Sequence, residues 1–232
     1  MQAGLVHVRV AEVAGMAALA PPPEQWMSAQ EARRLAGLRA GLRASQFVAG
    51  RWLARALLAQ ACGGAWQDWT LGAAPDGPPQ ASGPVPAHLS ISHSGGLVAC
   101  AAGPAPLGLD LECLRPRQGL DALIGAVSSA AERAAMPELA DAGDAEARLA
   151  AFFRLWTLKE AWLKRTGGAL FQTMLGRAVA ISPAASPTAA NACTWRHGDA
   201  MLALSAGPPV ALAGALPAGI RYWHLAAAAQ AA

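Results

Sequence analysis

The stretch from Glu146 to Arg165 constrains the fold more than any other part of the 232-residue chain. It reads as one long helix, and Gly167-Gly168 supply its stop. Phe152, Leu155, Leu158, Trp162 and their apolar neighbours can bury most of its surface. The helix therefore has to lie inside a fold, against a sheet or other helices. One stripe departs from that pattern. Trp156, Glu160 and Lys164 follow one another at spacings of four and share a face. A lone Glu–Lys pair at this spacing is ordinarily a surface feature worth a few tenths of a kcal/mol. Flanked by Trp and Phe, it reads instead as the lining of a site.

The remaining pattern supplies the sheet. Leu5 to Val10 alternates apolar and polar residues as a first strand, and Ala20-Pro21-Pro22-Pro23 ends what precedes it. Ser28, three residues before Glu31, is a helix start with a capping box. The helical pattern then runs to about Ala61 with a break near Gly41, and its arginines read for the most part as a solvated face. Gly72 to Pro86 is a loop. Three short strands follow at His88 to Ser92, Leu97 to Ala102 and Leu107 to Glu112, with glycine turns that suggest an antiparallel meander. Leu120 to Ala135 is an alanine-rich helix. Beyond the long helix, Arg177 to Ser182, Met201 to Ser205, Val210 to Ala213 and Arg221 to Leu225 read as strands. This order defines an α+β fold, with a division into two lobes near Cys113 to Gln118.

Composition narrows the function classes. Only 14% of residues are charged, against roughly 25% in an ordinary domain. A net charge of +3 suits an anionic ligand or an acidic partner and is too weak to indicate nucleic-acid binding. Cys62, Cys100, Cys113 and Cys193 lack zinc spacing and read as free thiols of a reducing compartment. With neither a signal peptide nor a membrane-spanning run in view, the expected location is the cytoplasm. Lysine occurs at just two positions, Lys159 and Lys164; arginine carries every other positive side chain. That suggests a spot needing a compact ammonium in place of a planar guanidinium.

Two further groupings carry chemistry. In Leu107-Gly108-Leu109-Asp110-Leu111-Glu112 the leucines face one way, while Gly108, Asp110 and Glu112 face the other. Two adjacent carboxylates beside a glycine fit a magnesium site, which takes one or two carboxylates and completes its shell with water and phosphate. They fit equally a solvent-facing edge paired with Arg115 and Arg117. Ser90-Ile91-Ser92-His93-Ser94-Gly95-Gly96 places a histidine at a strand end, where its ring and nearby N–H groups can meet a phosphate, or where the turn simply satisfies it. There is no GxSxG elbow, P-loop or GxGxxG.

Taken in order, Ser92-His93, the Gly108-Leu109-Asp110-Leu111-Glu112 strand and the Trp156-Thr157-Leu158-Lys159-Glu160-Ala161-Trp162-Leu163-Lys164 helix resemble the signature of the 4'-phosphopantetheinyl transferase superfamily. Lys159 follows Asp110 by 49 residues, in keeping with that family's spacing. The length resembles the monomeric Sfp-type branch. The resemblance implies two similar lobes related by a pseudo-twofold axis, each a small, mostly antiparallel sheet packed with helices, over residues 1–112 and 113–232. It implies transfer of phosphopantetheine from coenzyme A to a serine of an acidic carrier protein, with Mg2+ as cofactor and no nucleic-acid or membrane partner.

The resemblance also implies roles. Asp110, Glu112 and Glu160 would hold the metal, and Glu160 would take the serine proton. Lys164 would offset charge on the departing 3',5'-ADP, and Ser92 and His93 would bind phosphate oxygens. Lys159 would contact coenzyme A or position its neighbours. Where relatives carry a Gly-Lys-Pro segment this chain has Gly77-Pro78-Pro79, and Gln46 stands where a basic residue is common. Contact with the 3'-phosphate is therefore expected from Arg34, Arg39 or Arg43. A relative that binds coenzyme A or carriers without catalysis is the alternative. Arg133, Arg148 and Arg165 are candidate contacts for the acidic carrier.

Overall fold

The computed structural model describes residues 4–39, 41–72, 79–167 and 179–228. In chain order the elements are β1 (Leu5–Glu12), α1 (Val13–Leu19), α2 (Ala29–Ala36), α3 (Leu42–Cys62), β2 (Thr70–Gly72), β3 (Gln80–Ser82), β4 (His88–Ser94), β5 (Leu97–Gly103) and β6 (Gly108–Cys113). They continue with α4 (Leu120–Val127), α5 (Ala130–Ala135), α6 (Ala145–Thr166), β7 (Val179–Pro183), β8 (Ala192–His197), β9 (Ala200–Ser205), β10 (Ala211–Leu212) and β11 (Arg221–Ala227). The fold is α+β, as the sequence leads one to expect. Among the described residues no helix is long and apolar enough to cross a membrane.

The chain forms two compact units. The first comprises Met1–Leu109 with Ala211–Ala215, and the second Asp110–Val210 with Leu216–Ala232. The break therefore falls inside β6, three residues ahead of the boundary predicted at 112/113. A short return segment, 211–215, also joins the first unit.

In the first unit the sheet order is β10-β1-β5-β4. β1 runs antiparallel to β5, with Val8 opposite Ala101, and β5 runs antiparallel to β4, with Ile91 opposite Cys100. α3 covers this sheet through Ala49, Leu53, Ala54, Leu57 and Leu58, packed with Val98, Cys100 and Ala102. At Gly50 the helix lies close on the sheet: a Cβ there would stand 3.0 Å from Ile91 Cγ2 and 3.4 Å from Val98 Cγ2.

The capping box at Ser28 forms as expected, and Glu31 does more than cap. It is fully buried and accepts both arms of the Arg55 guanidinium, at 3.0 and 2.7 Å. Arg55 also lies over the Trp26 ring, and Arg51 is buried nearby. These two arginines are thus interior, not part of a solvated face. Burial pushes the Glu31 carboxyl up, but hydrogen bonds from Arg55 and Ser28 outweigh it and hold it below the usual range. The pair therefore contributes stability above the ordinary carboxylate pKa and loses it as pH falls through the depressed one. Arg55→Lys keeps the charge and loses the two-pronged geometry. It is expected to lower unfolding free energy by about 1.5–3 kcal/mol, measured by urea denaturation at pH 7.

In the second unit the order is β6-β9-β8-β11-β7. β8 is antiparallel to β9, with Trp195 opposite Leu202, and β11 is antiparallel to both β8 and β7. α6 packs on this sheet, and Phe152, Phe153, Leu155, Leu158 and Ala161 join Ala192, Met201, Ala203 and Trp223 in one core.

Three expectations change. The meander stops after β5, because β6 pairs in the second unit's sheet beside β9. The helix read over Leu120 to Ala135 is two helices: the Ser128 hydroxyl bonds back to Ile124, and Ser129 starts a new helix by exchanging hydrogen bonds with Glu132. β8 was not anticipated, nor were β2 and β3 within the loop region. Gly77, Pro78 and Arg177 lie outside the described residues, as does Gly168.

Candidate functional site

α6 is fixed at both ends. Asp144 accepts from the Ala147 N–H at 2.9 Å, and Gly167, at φ 77°, turns the chain out of the helix. Lys164 and Arg165 fall in its last turn, where the helix dipole favours positive charge. Residues 150–155, 157–159, 161 and 163 are buried, whereas Trp156, Glu160 and Lys164 are half-buried along one face. β6 brings Asp110 to that face. Asp110 is 5% exposed, between the buried Leu109 and Leu111, and Glu112 is half-buried. Lys164 Nζ donates to Asp110 Oδ1 at 2.7 Å. Arg117 lies over the Phe153 ring. Asp110 is thus ion-paired with the lysine of α6.

Glu160 completes the group. Burial pushes its carboxyl up to about 7; the negative charge of Asp110 adds to the shift, Lys164 opposes it and Glu112 adds a little more. Asp110 and Glu112, close enough to disfavour ionisation of Glu160, form with it a donor set for a hard divalent cation, which prefers carboxylate oxygen. Among the described residues they are not gathered into a ready cage of three ligands. In this arrangement the Lys164 ammonium supplies the neutralisation at Asp110. The chemistry of the donor set fits Mg2+.

Lys159 is placed elsewhere. It is fully buried, and its Nζ donates to the Val127 carbonyl and, at 3.1 Å, to Glu132 Oε2. Of its two expected roles, positioning is the one that this burial supports. Glu132 went unnoticed in the sequence, although Ser129-Ala130-Ala131-Glu132 is a capping-box pattern.

Ser92 and His93 belong to the first unit, on β4, with Ser92 buried and His93 half-buried before the Gly95 turn. Gln46 is 4% exposed and donates its amide to the Gly95 carbonyl at 2.9 Å, which ties α3 to that turn. Arg34, Arg39 and Arg43 are exposed on the same unit. In the second unit the three arginines proposed for an acidic partner are engaged locally. Arg133 donates to Ser128, Arg148 bonds the Leu139 carbonyl and pairs with Asp121, and Arg165 donates to the Ala206 carbonyl.

Residues 106–213 match the model of the 4'-phosphopantetheinyl transferase superfamily. A 4'-phosphopantetheinyl transferase AcpT of Salmonella typhi is 39% identical over 97 residues, 41% of this chain and 48% of that protein. The AcpT of Escherichia coli K12 is 35% identical over 130 residues, 53% of this chain and 60% of that protein. The 4'-phosphopantetheinyl transferase Sfp of Bacillus subtilis is 33% identical over 86 residues, 36% of this chain and 35% of that protein. A holo-(acyl-carrier-protein) synthase from Bacillus anthracis, solved in complex with CoA (3',5'-ADP), aligns at TM-score 0.36 and 22% identity, over 43% of this chain and 93% of that one. The chain is thus similar to the 4'-phosphopantetheinyl transferase superfamily over a little under half of its length. Its matches span about half the length of the AcpT relatives.

Proposed function

We propose that this protein transfers 4'-phosphopantetheine from coenzyme A to a serine hydroxyl of a carrier protein, in a Mg2+-dependent reaction that releases 3',5'-ADP. The observation that carries the reading is the grouping of Asp110, Glu112, Glu160 and Lys164 within the segment that matches the family. Asp110, Glu112 and Glu160 would hold Mg2+. When bound, the ion neutralises the pyrophosphate of coenzyme A.

The protein's own part is positioning and charge. The serine Oγ attacks the pantetheine-side phosphorus of the pyrophosphate. A new P–O bond forms, and the bond to 3',5'-ADP breaks with its electron pair going to the ADP oxygen. Glu160, titrating near 7, suits the acceptor of the serine proton, since a base works best when its pKa lies near the working pH. Lys164 offsets charge on the departing ADP. Ser92 and His93 are the first unit's candidates for phosphate oxygens, and Arg34, Arg39 and Arg43 for the 3'-phosphate. We assign the protein to the monomeric Sfp-type branch acting in the cytoplasm, on an acidic carrier partner.

The test is intact-mass analysis of an apo carrier protein incubated with the protein, coenzyme A and Mg2+. The expected result is a gain of one phosphopantetheine, abolished by EDTA and by Asp110→Ala. No gain across acyl, peptidyl and polyketide carriers would favour a relative that binds without catalysis.

A further inference from the structure

The second unit holds a pocket of about 370 Å3 that the transferase reading does not use. Arg154, Arg196 and Arg221 line it, along with Trp195 and Met201. Neither Asp110, Glu160 nor Lys164 is among its lining residues. Arg154 and Glu160 share α6, but six helical residues separate them by about 9 Å along the axis and about 240° around it. The pocket and the carboxylate group therefore address different faces of the helix.

The positive charge in this pocket is incompletely answered. Glu138 is shared: Arg221 Nη1 donates to its Oε1 at 3.1 Å, and Arg154 Nη1 stands 3.9 Å from the same oxygen. One carboxylate thus serves two guanidinia. Arg196 pairs with Glu146 at 3.0 Å and lies 3.9 Å from Asp199, but those carboxylates are 78% and 99% exposed and are screened by solvent. Arg154 is itself 8% exposed, and its Nη1 is buried with no hydrogen-bond partner. Burial, and next the Arg221 charge, push its guanidinium down to about 10 against the opposing pull of Glu138. A desolvated guanidinium with an unmet N–H is costly to leave so, and a bound oxyanion would answer both the charge and the N–H. Guanidinium groups suit phosphate geometry, and the buried Trp195 and Met201 offer apolar wall to whatever carries it.

We propose that this pocket is a second anion site, which takes the phosphate group of a small organic phosphate between Arg154, Arg196 and Arg221. It is independent of the transferase reading. The test is isothermal titration of the metal-free full chain with inorganic phosphate, against sodium chloride of matched ionic strength, for wild type, Lys164→Ala and the double variant Arg196→Ala/Arg221→Ala. Both arginine side chains are about half exposed, at 45% and 52%, and the melting transition of the double variant, or of Arg196→Ala alone, checks that the fold is kept. The expected result is one binding event that survives Lys164→Ala and weakens at least tenfold in the arginine variants. Absence of binding by wild type, unchanged affinity in the arginine variants, or loss in Lys164→Ala would each overturn the proposal.

Discussion

Replacing Glu160 with Gln is expected to lower the transfer rate by about 10²–10⁴ and, at pH 8 without metal, to make the protein more heat-resistant. Both effects come from one carboxyl group. Its pKa in the folded protein is about 7, raised first by burial and then by Asp110, so the folded state holds a proton that the unfolded state releases near the ordinary value of 4.5. The favourable contribution is complete below about that ordinary value and disappears as pH rises through the folded pKa. The wild-type melting temperature should therefore fall between pH 5.5 and 8, and the Gln variant should show a flatter profile. Added Mg2+ should raise the wild-type value at pH 8 more than that of the variant. Scanning calorimetry at several pH values, with and without Mg2+, measures this. Parallel pH profiles for the two proteins would remove Glu160 from the role of a neighbour-disfavoured base.

Lys159→Met is expected to destabilise the protein by about 3–5 kcal/mol. Lys159 and Glu132 are 0% and 1% exposed, and the lysine ties the end of α4 and the start of α5 to α6. Without the ammonium, Glu132 keeps the N–H of Ser129 on Oε2, while its Oε1 is already buried with no hydrogen-bond partner. A carboxylate left so is far more costly than the pair was favourable. Lys159→Met combined with Glu132→Gln, which removes the stranded charge and keeps the cap, should lose less than the sum of the single changes. Urea denaturation of the three variants completes the cycle. For the folded Lys159→Met protein, a KM for coenzyme A near that of wild type identifies a positioning residue; a raised KM with unchanged stability would return Lys159 to the ligand.

Much of the site was legible because its spacing is local. Trp156, Glu160 and Lys164 share a face by helical geometry alone, and Asp110 and Glu112 share one by strand alternation. The same letters do not say which strand β6 joins, since pairing depends on partners far along the chain; hence the expected meander gave way to pairing beside β9. Helical geometry puts Lys159 about 140° around the axis from Lys164, but it does not say that Lys159 enters the core; the position of Glu132 on α5 accounts for that. The Arg154 pocket was invisible for a related reason. Its three guanidinia come from α6, β8 and the start of β11, and β8 itself was missed although Gly198-Asp199 marks the turn that follows it.

The burial of one lysine has a practical side. The chain has two side-chain amines in all, and the core encloses Lys159 completely. An acylating label or an amine-directed crosslinker therefore has a single lysine to reach, Lys164, whose side chain is 29% exposed. At pH above the titration of the α-amino group, which reacts as well, lysine modification should report on the Asp110 neighbourhood, and a surface coupled through lysine would hold the molecule by its candidate site.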